Sequence, residues 1–319
     1  MQAIRFADTR QLSREGWLAA RRQGIGGSDI AAIVGLHPYR SAVEVWAEKT
    51  GLVDDSPAPE QAYWGMQLED VIAKHFAASH RCRVRRVHAI LQHPQWPILL
   101  ANIDRIAYLP VEAVLEIKTA DSRLAAAWEG DKVPDWVLLQ VQHYLGVTGL
   151  DRGYVAALIG GNRYIEREVV RDDELIAQLQ QIALDWWRRH VEEGVPPEPD
   201  GSEASSEILR RLYPTVQHPA VDLPDEAEAL IREYEDAARA EKEAAERKEQ
   251  AANRLKALLG DAEIGRLGGV PRVRWSVVQQ TRLDVASLKQ AYPAIYEECS
   301  RTSTYRRLQV LKAGDGRAA

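Results

Sequence analysis

The chain of 319 residues has only two cysteines, Cys82 and Cys299, far apart in sequence. Two such residues exclude a disulfide framework, a cysteine-based zinc site and a four-cysteine iron–sulfur cluster. No apolar run approaches the roughly 18 residues that a membrane-spanning helix requires, so no membrane association is expected. The opening MQAIRFADTRQLSREGW lacks an apolar h-region, so the sequence predicts no signal peptide and a cytoplasmic location. Glycines cluster at 24–27, but no strand leads directly into them, which excludes a dinucleotide fingerprint. What remains is an ordinary globular composition, 45% hydrophobic and 28% charged, in a chain long enough for one large domain and something smaller.

The formal net charge of −6 argues weakly against a nucleic-acid partner, but it is an average. Residues 1–200 carry 22 basic and 28 acidic side chains, residues 222–263 carry 7 and 13, and residues 264–319 carry 10 and 4. The last segment is therefore net +6, and local patches rather than totals decide contact with DNA.

Residues 13–23 read as an amphipathic helix capped by Ser13, and GIGGSDIAAIVG as a turn into a second helix with Ser28 or Asp29 as N-cap. SAVEVWAEKTG is a third helix closed by Gly51, and QAYWGMQLEDVIAKHFAAS a fourth. Residues 83–119 read as three short strands, DWVLLQVQHYLGVTG as a helix, RGYVAALIGG and RYIEREVV as paired strands, and 172–193 as a helix. This predicts a domain over 1–195, a Pro-, Gly- and Ser-rich linker over 196–221, a long helix over 222–263 and a small basic β-containing region over 264–319. On the long helix Leu230, Tyr234, Ala237, Ala244, Ala251, Leu255 and Leu258 follow a heptad seam that Glu241 and Lys248 break. The seam suits a coiled coil, and equally a helix packed on its own domain.

One strand breaks its own pattern. In VEAVLEIKTA, residues 111–120, side chains two apart share a face, so Glu116 and Lys118 stand together opposite Leu115 and Ile117. Twelve residues upstream of Glu116, Asp104 interrupts the apolar LLANIDRIAY. Adjacent strands would bring Asp104 and Glu116 together, and two carboxylates with the Ile117 carbonyl and waters would satisfy a hard cation such as Mg²⁺. Lys118 would then orient or help deprotonate an attacking water and stabilise charge on a phosphate. The same residues also suit a plain salt bridge between neighbouring strands. Glu69 on the fourth helix, opposite Trp64, Leu68, Ile72 and Phe76, is a further acid, and Gln140 and Tyr144 share a helix face.

In this order the pieces resemble the YqaJ-type viral recombinase family, a branch of the PD-(D/E)XK nuclease superfamily related to lambda exonuclease. RRQGIGGSDIAAIVGLHPYRSAVEVWAEKTG is similar to the family's N-terminal signature, WGMQLED to its acidic helix, NID and LEIK to its catalytic strands, and LQVQHYLGV to the helix that follows. The resemblance spans about residues 12–190. It implies an α/β fold, a mixed central sheet flanked by helices, and a Mg²⁺-dependent (or Mn²⁺-dependent) exonuclease running five-prime to three-prime on double-stranded DNA ends in phage or prophage recombination.

Carried over, Asp104, Glu116 and the Ile117 carbonyl would hold the metal, and Lys118 would be the catalytic lysine. Glu69, Gln140 and Tyr144 would complete the site. Arg21, Arg22 and Ser28, beside the glycine turn, would bind the five-prime phosphate. A ring-shaped homo-oligomer and a single-strand annealing protein are the implied partners. The chain departs from the family at Arg105, where relatives often carry glycine. A structure-specific endonuclease on the same core and an inactive DNA-binding protein are the alternative readings. Taken alone, the glycines supply positive φ for a tight turn.

Overall fold

The computed structural model describes residues 3–53 and 60–311. Two compact units divide the chain between Tyr213 and Pro214. The first contains β1 (Ile4–Asp8), α1 (Arg14–Arg22), α2 (Gly27–Ile33), α3 (Ala42–Lys49), α4 (Glu60–Ser79), β2 (Arg83–Arg86), β3 (Ala89–Gln92), β4 (Leu100–Ala101), β5 (Arg105–Tyr108) and β6 (Glu112–Ala120). It continues through α5 (Asp135–Thr148), β7 (Arg152–Ile159), β8 (Arg163–Val170), α6 (Asp173–Trp186) and α7 (Glu203–Leu212).

The central sheet runs β2-β5-β6-β7-β8. Only β6 and β7 are parallel, and α5 lies in the crossover that a parallel pair demands. Alternation along β6 decides its two faces. Leu115 and Ile117 pack with Ile72 and Phe76 of α4, while Val114 joins the larger core with Val141 and Leu145 of α5 and Val155 of β7. The fold is thus the mixed α/β arrangement that the sequence implies, a mixed sheet with helices on both faces. A smaller sheet, β1-β3-β4, receives α1 through Trp17 and Ala20. Ser13 caps α1 as expected, its hydroxyl accepting the Gly16 N–H.

Several expectations change. Residues 83–119 hold the greater part of five strands, because β4 and β5 are too short to carry a readable alternation. The strand β1 carries only a partly buried pattern and is missed for that reason. Glu203–Leu212, expected as linker, is a helix whose Ser205 and Ile208 are buried, so the first unit continues past residue 195 to Tyr213. Trp64, expected on the buried face of α4, is 54% exposed.

In the second unit α8 (Ala227–Leu259) is the long helix that the sequence predicts, 33 residues from end to end. There β9 (Ile264–Leu267) and β10 (Val270–Arg274) form a hairpin, and α9 (Val285–Ala291) and α10 (Pro293–Cys299) follow. The expected strand over STYRRLQVL is absent, since 303–311 has no regular structure. Residues 312–319 lie outside the described residues. No described helix is long and apolar enough to cross a membrane.

Candidate active site

β6 outruns its antiparallel neighbour. Pairing with β5 reaches only Arg105 opposite Leu115, whereas pairing with β7 continues to Ala120. The edge of β6 from Glu116 onward therefore lacks a strand partner on the β5 side, and Asp104, just ahead of β5, fills the gap. Its Oδ2 accepts the Ile117 N–H at 2.9 Å. A buried backbone donor is thereby satisfied, and one catalytic candidate is fixed by the other's strand.

Glu116 is 2% exposed and held on one side only. Its Oε1 accepts Gln140 Nε2 at 2.7 Å and pairs with Lys118 Nζ at 2.7 Å, while its Oε2 is buried with no hydrogen-bond partner. Lys118 Nζ also donates to Gln140 Oε1 at 2.8 Å. Only this orientation of the Gln140 amide serves a carboxylate and an ammonium at once. Gln140 Nε2 lies 2.9 Å from the Tyr144 hydroxyl, which donates to the Asn102 carbonyl at 3.0 Å. The helical i, i+4 spacing thus places both α5 side chains beneath the strand.

Burial pushes Asp104 well above the usual carboxylate range, and the neighbouring Glu116 charge pushes it further; Lys118 only partly offsets this. For Lys118, burial favours the neutral amine, but Glu116 and Asp104 outweigh it and raise its pKa above that of a free lysine. A salt bridge is present, but within β6 between Glu116 and Lys118 and not between neighbouring strands, and it does not exhaust the carboxylates.

An orphaned Glu116 oxygen beside a second carboxylate that resists ionisation is a donor set short of positive charge. These residues fit a divalent cation. Among the described residues no group of three His, Cys, Asp or Glu side chains is arranged for a metal, which directs the choice to a hard ion that keeps waters. Asp104, Glu116 and the Ile117 carbonyl are the groups that would hold it.

Glu69 lines the same cleft but is already engaged. Its Oε1 accepts from both Arg105 and Arg86, and Arg105 also pairs with Asp70. Arg105 is 3% exposed, so the residue that departs from the family pattern is a buried clamp between β5 and α4. Sequence reasoning marked this position and missed its function.

The glycine turn forms the other wall of the cleft of about 590 Å³, which Trp17, Arg21, Gly26, Gly27 and Ser28 line together with the strand residues. Arg22 is not among its lining residues. None of Gly24, Gly26 and Gly27 has positive φ, contrary to expectation. Their need is space: a β-carbon at Gly24 would stand 2.3 Å from the Ile98 carbonyl oxygen, and one at Gly27 2.5 Å from the Tyr144 ring.

The N-cap of α2 is Gly26, and neither Ser28 nor Asp29 takes that position; Asp29 instead accepts the Gly26 N–H from the first turn at 2.9 Å. Asp29 is fully buried and meets Arg40 at 2.8 Å and Lys49 at 2.7 Å. Burial alone would raise its pKa, but Lys49, Arg40 and Arg21 bring it well below the ordinary value. Arg21 stacks over Trp17 at 4.7 Å and donates to Ser28 Oγ at 3.3 Å. Nothing in the sequence marks Asp29 as buried, since an acid in the first turn of a helix is ordinarily a solvated cap.

The YqaJ-like viral recombinase domain matches residues 16–151. The YqaJ protein of Bacillus subtilis (strain 168) is 37% identical over 309 residues, which cover 96% of each chain. Among solved structures, an alkaline exonuclease from Laribacter hongkongensis is 18% identical with a TM-score of 0.47, covering 56% of this chain and 93% of its own. A phage-related exonuclease from Haemophilus somnus 129PT is 12% identical with a TM-score of 0.38, covering 54% of this chain and 96% of its own.

Proposed function

The chain belongs to the YqaJ-like viral recombinase family, and on that premise we propose that it is a Mg²⁺-dependent exonuclease that shortens double-stranded DNA from five-prime ends. The observation that carries this reading is the buried, unpartnered Oε2 of Glu116 beside Asp104, in one cleft with Arg21 and Ser28. Mg²⁺, when bound, would supply positive charge beside the scissile phosphate and acidify a water there.

The chain's own residues do the remainder. Asp104 and Glu116, with the Ile117 carbonyl, would hold the metal. Lys118, paired with Glu116, stabilises negative charge on the phosphate and orients or helps deprotonate the attacking water. Gln140 and Tyr144 keep Glu116 and Lys118 in register. Glu69, neutralised by Arg105, fixes α4 at the cleft wall and ligates nothing directly. Arg21 and Ser28 receive the terminal five-prime phosphate, and Arg22 follows Arg21 at the end of α1. A ring-shaped assembly and a single-strand annealing partner belong to the same reading.

The test is release of nucleotides from linear duplexes that differ only in a five-prime phosphate, with Mg²⁺ and with chelator. Faster release from the phosphorylated end, abolished by chelator, is expected. Nicking of closed circles would favour an endonuclease instead, and binding without hydrolysis would leave a DNA-binding protein.

A further inference from the structure

Of the densest run of arginines in the first unit, Arg81, Arg83, Arg85 and Arg86 at the edge strand β2, the site draws only on Arg86. Arg86 turns toward α4 and meets Glu69 and Asp70. Arg83 and Arg85 take the opposite face, where both guanidinium groups lie over the ring of Tyr108, at 4.3 and 5.8 Å. Both are exposed, and among the described residues neither forms an ion pair.

Register fixes which face this is. Arg83 pairs with Tyr108 and Arg85 with Ile106 across β2 and β5, and Ile106 pairs with Val114 across β5 and β6. Directly paired residues share a face, as do residues two apart on one strand. Arg83 and Arg85 therefore stand on the same face as Val114, Glu116 and Lys118. Strand spacing puts Arg85 about 12 Å and Arg83 about 17 Å from Glu116 along that face.

We infer that Arg83 and Arg85, backed by Tyr108, form a second contact for the nucleic-acid backbone, gripping phosphates roughly 12–17 Å out from the scissile bond. The inference rests on the nuclease reading above. Two residues apart on a strand is roughly 6.8 Å, comparable to the separation of neighbouring phosphates on one nucleic-acid strand. Stacking on Tyr108 orders the two guanidinium groups before binding, so less side-chain entropy is lost when phosphate arrives. Charge on an edge strand also discourages pairing with other chains, but that role requires neither a common face nor an aromatic support. One acid, Glu112, stands opposite Tyr108 and leaves the row with a net positive charge.

The experiment measures affinity for a 30-base-pair duplex by anisotropy, in chelator so that nothing is cut, over a range of salt. It compares the wild type with Arg83→Ala/Arg85→Ala and with Arg83→Lys/Arg85→Lys. Loss of two phosphate contacts should weaken binding about ten-fold near physiological salt and make the slope of log K against log salt shallower by about 1.8. The lysine pair should keep the slope. An unchanged slope in the alanine pair, with the wild type still binding and still hydrolysing duplex once Mg²⁺ is supplied, overturns the second contact and leaves the nuclease reading standing. A wild type that neither binds nor cuts duplex overturns both. An alanine pair that aggregates with its slope unchanged assigns the arginines to edge protection instead.

Discussion

Gly27 lies so close to Tyr144 that a β-carbon built on it would stand 2.5 Å from the ring, and 2.9 Å from Gln140. The glycine turn and the residues that hold Glu116 are therefore one packed unit. Gly27→Ala is expected to cost about 1–3 kcal/mol through overpacking. It should also lower hydrolysis at saturating DNA, because Gln140 must shift away from Glu116 and Lys118. Chemical denaturation and single-turnover cleavage measure the two effects; a variant with both unchanged would uncouple the turn from the chemistry.

Asp104→Asn and Glu116→Gln should abolish hydrolysis and leave duplex binding largely intact. Because these buried carboxylates repel one another, Asp104→Asn should also raise the melting temperature in chelator, by about 2–4 °C for each kcal/mol regained. Mg²⁺ should stabilise the wild type by mass action and not the variant. Thermal melts with and without Mg²⁺ check this, and a variant still stabilised by Mg²⁺ would remove Asp104 from the metal site.

Lys118→Ala should reduce the rate by about 10²–10³ while the protein stays folded. Its ammonium opens onto the cleft, so water fills the space. Circular dichroism beside a cleavage assay separates this from the plain salt-bridge reading, under which the variant loses its fold.

Asp29 carries a pH prediction. Its folded-state pKa lies well below that of an ordinary aspartate, so its stabilising contribution is present above about pH 4 and is lost as pH falls through the folded value. Asp29→Asn should cost about 3–5 kcal/mol at pH 7, since it leaves Lys49 and Arg40 buried without their partner. The deficit relative to wild type should shrink as pH falls below about 4. Urea titrations at pH 7 and pH 3 measure both; a deficit equal at the two values would mean that the Asp29 charge contributes nothing.

A chain ending at Tyr213 should fold, whereas one ending at residue 195 should not reach the same stability. The shorter chain loses Ile208, 1% exposed in the core, a loss worth about 2–5 kcal/mol by analogy with large-to-small core changes. Denaturation midpoints of the two truncated proteins decide it.

Much of the chemistry was readable because it violates a simple pattern. Glu116 and Lys118 are visible only as polar interruptions of an apolar strand, and β6 is long enough for its alternation to be unambiguous. Gln140 and Tyr144 follow from helical spacing. The unread part depends on contacts between distant segments. Arg105 looks like a surface residue until Glu69 and Asp70 arrive from α4. Asp29 looks like a cap until Lys49 and Arg40 close over it. The glycines announce a tight turn, but their reason, the nearness of Ile98 and Tyr144, lies 70 and more residues away. Proline and glycine around α7 outweighed a short but clear amphipathic pattern that burial of Ile208 makes decisive.

The hairpin that joins β5 to β6 turns at residues 109–111, at the end of the strands remote from Asp104 and Glu116. Asp104 is placed by the Ile117 N–H and Glu116 by its own strand with Gln140 and Lys118, and neither by the turn. Insertions at that tip would lengthen the stretch between the two acids without moving them. The number of residues separating them is thus historical rather than functional. A search for distant relatives by fixed interval would pass over proteins whose chemistry is the same.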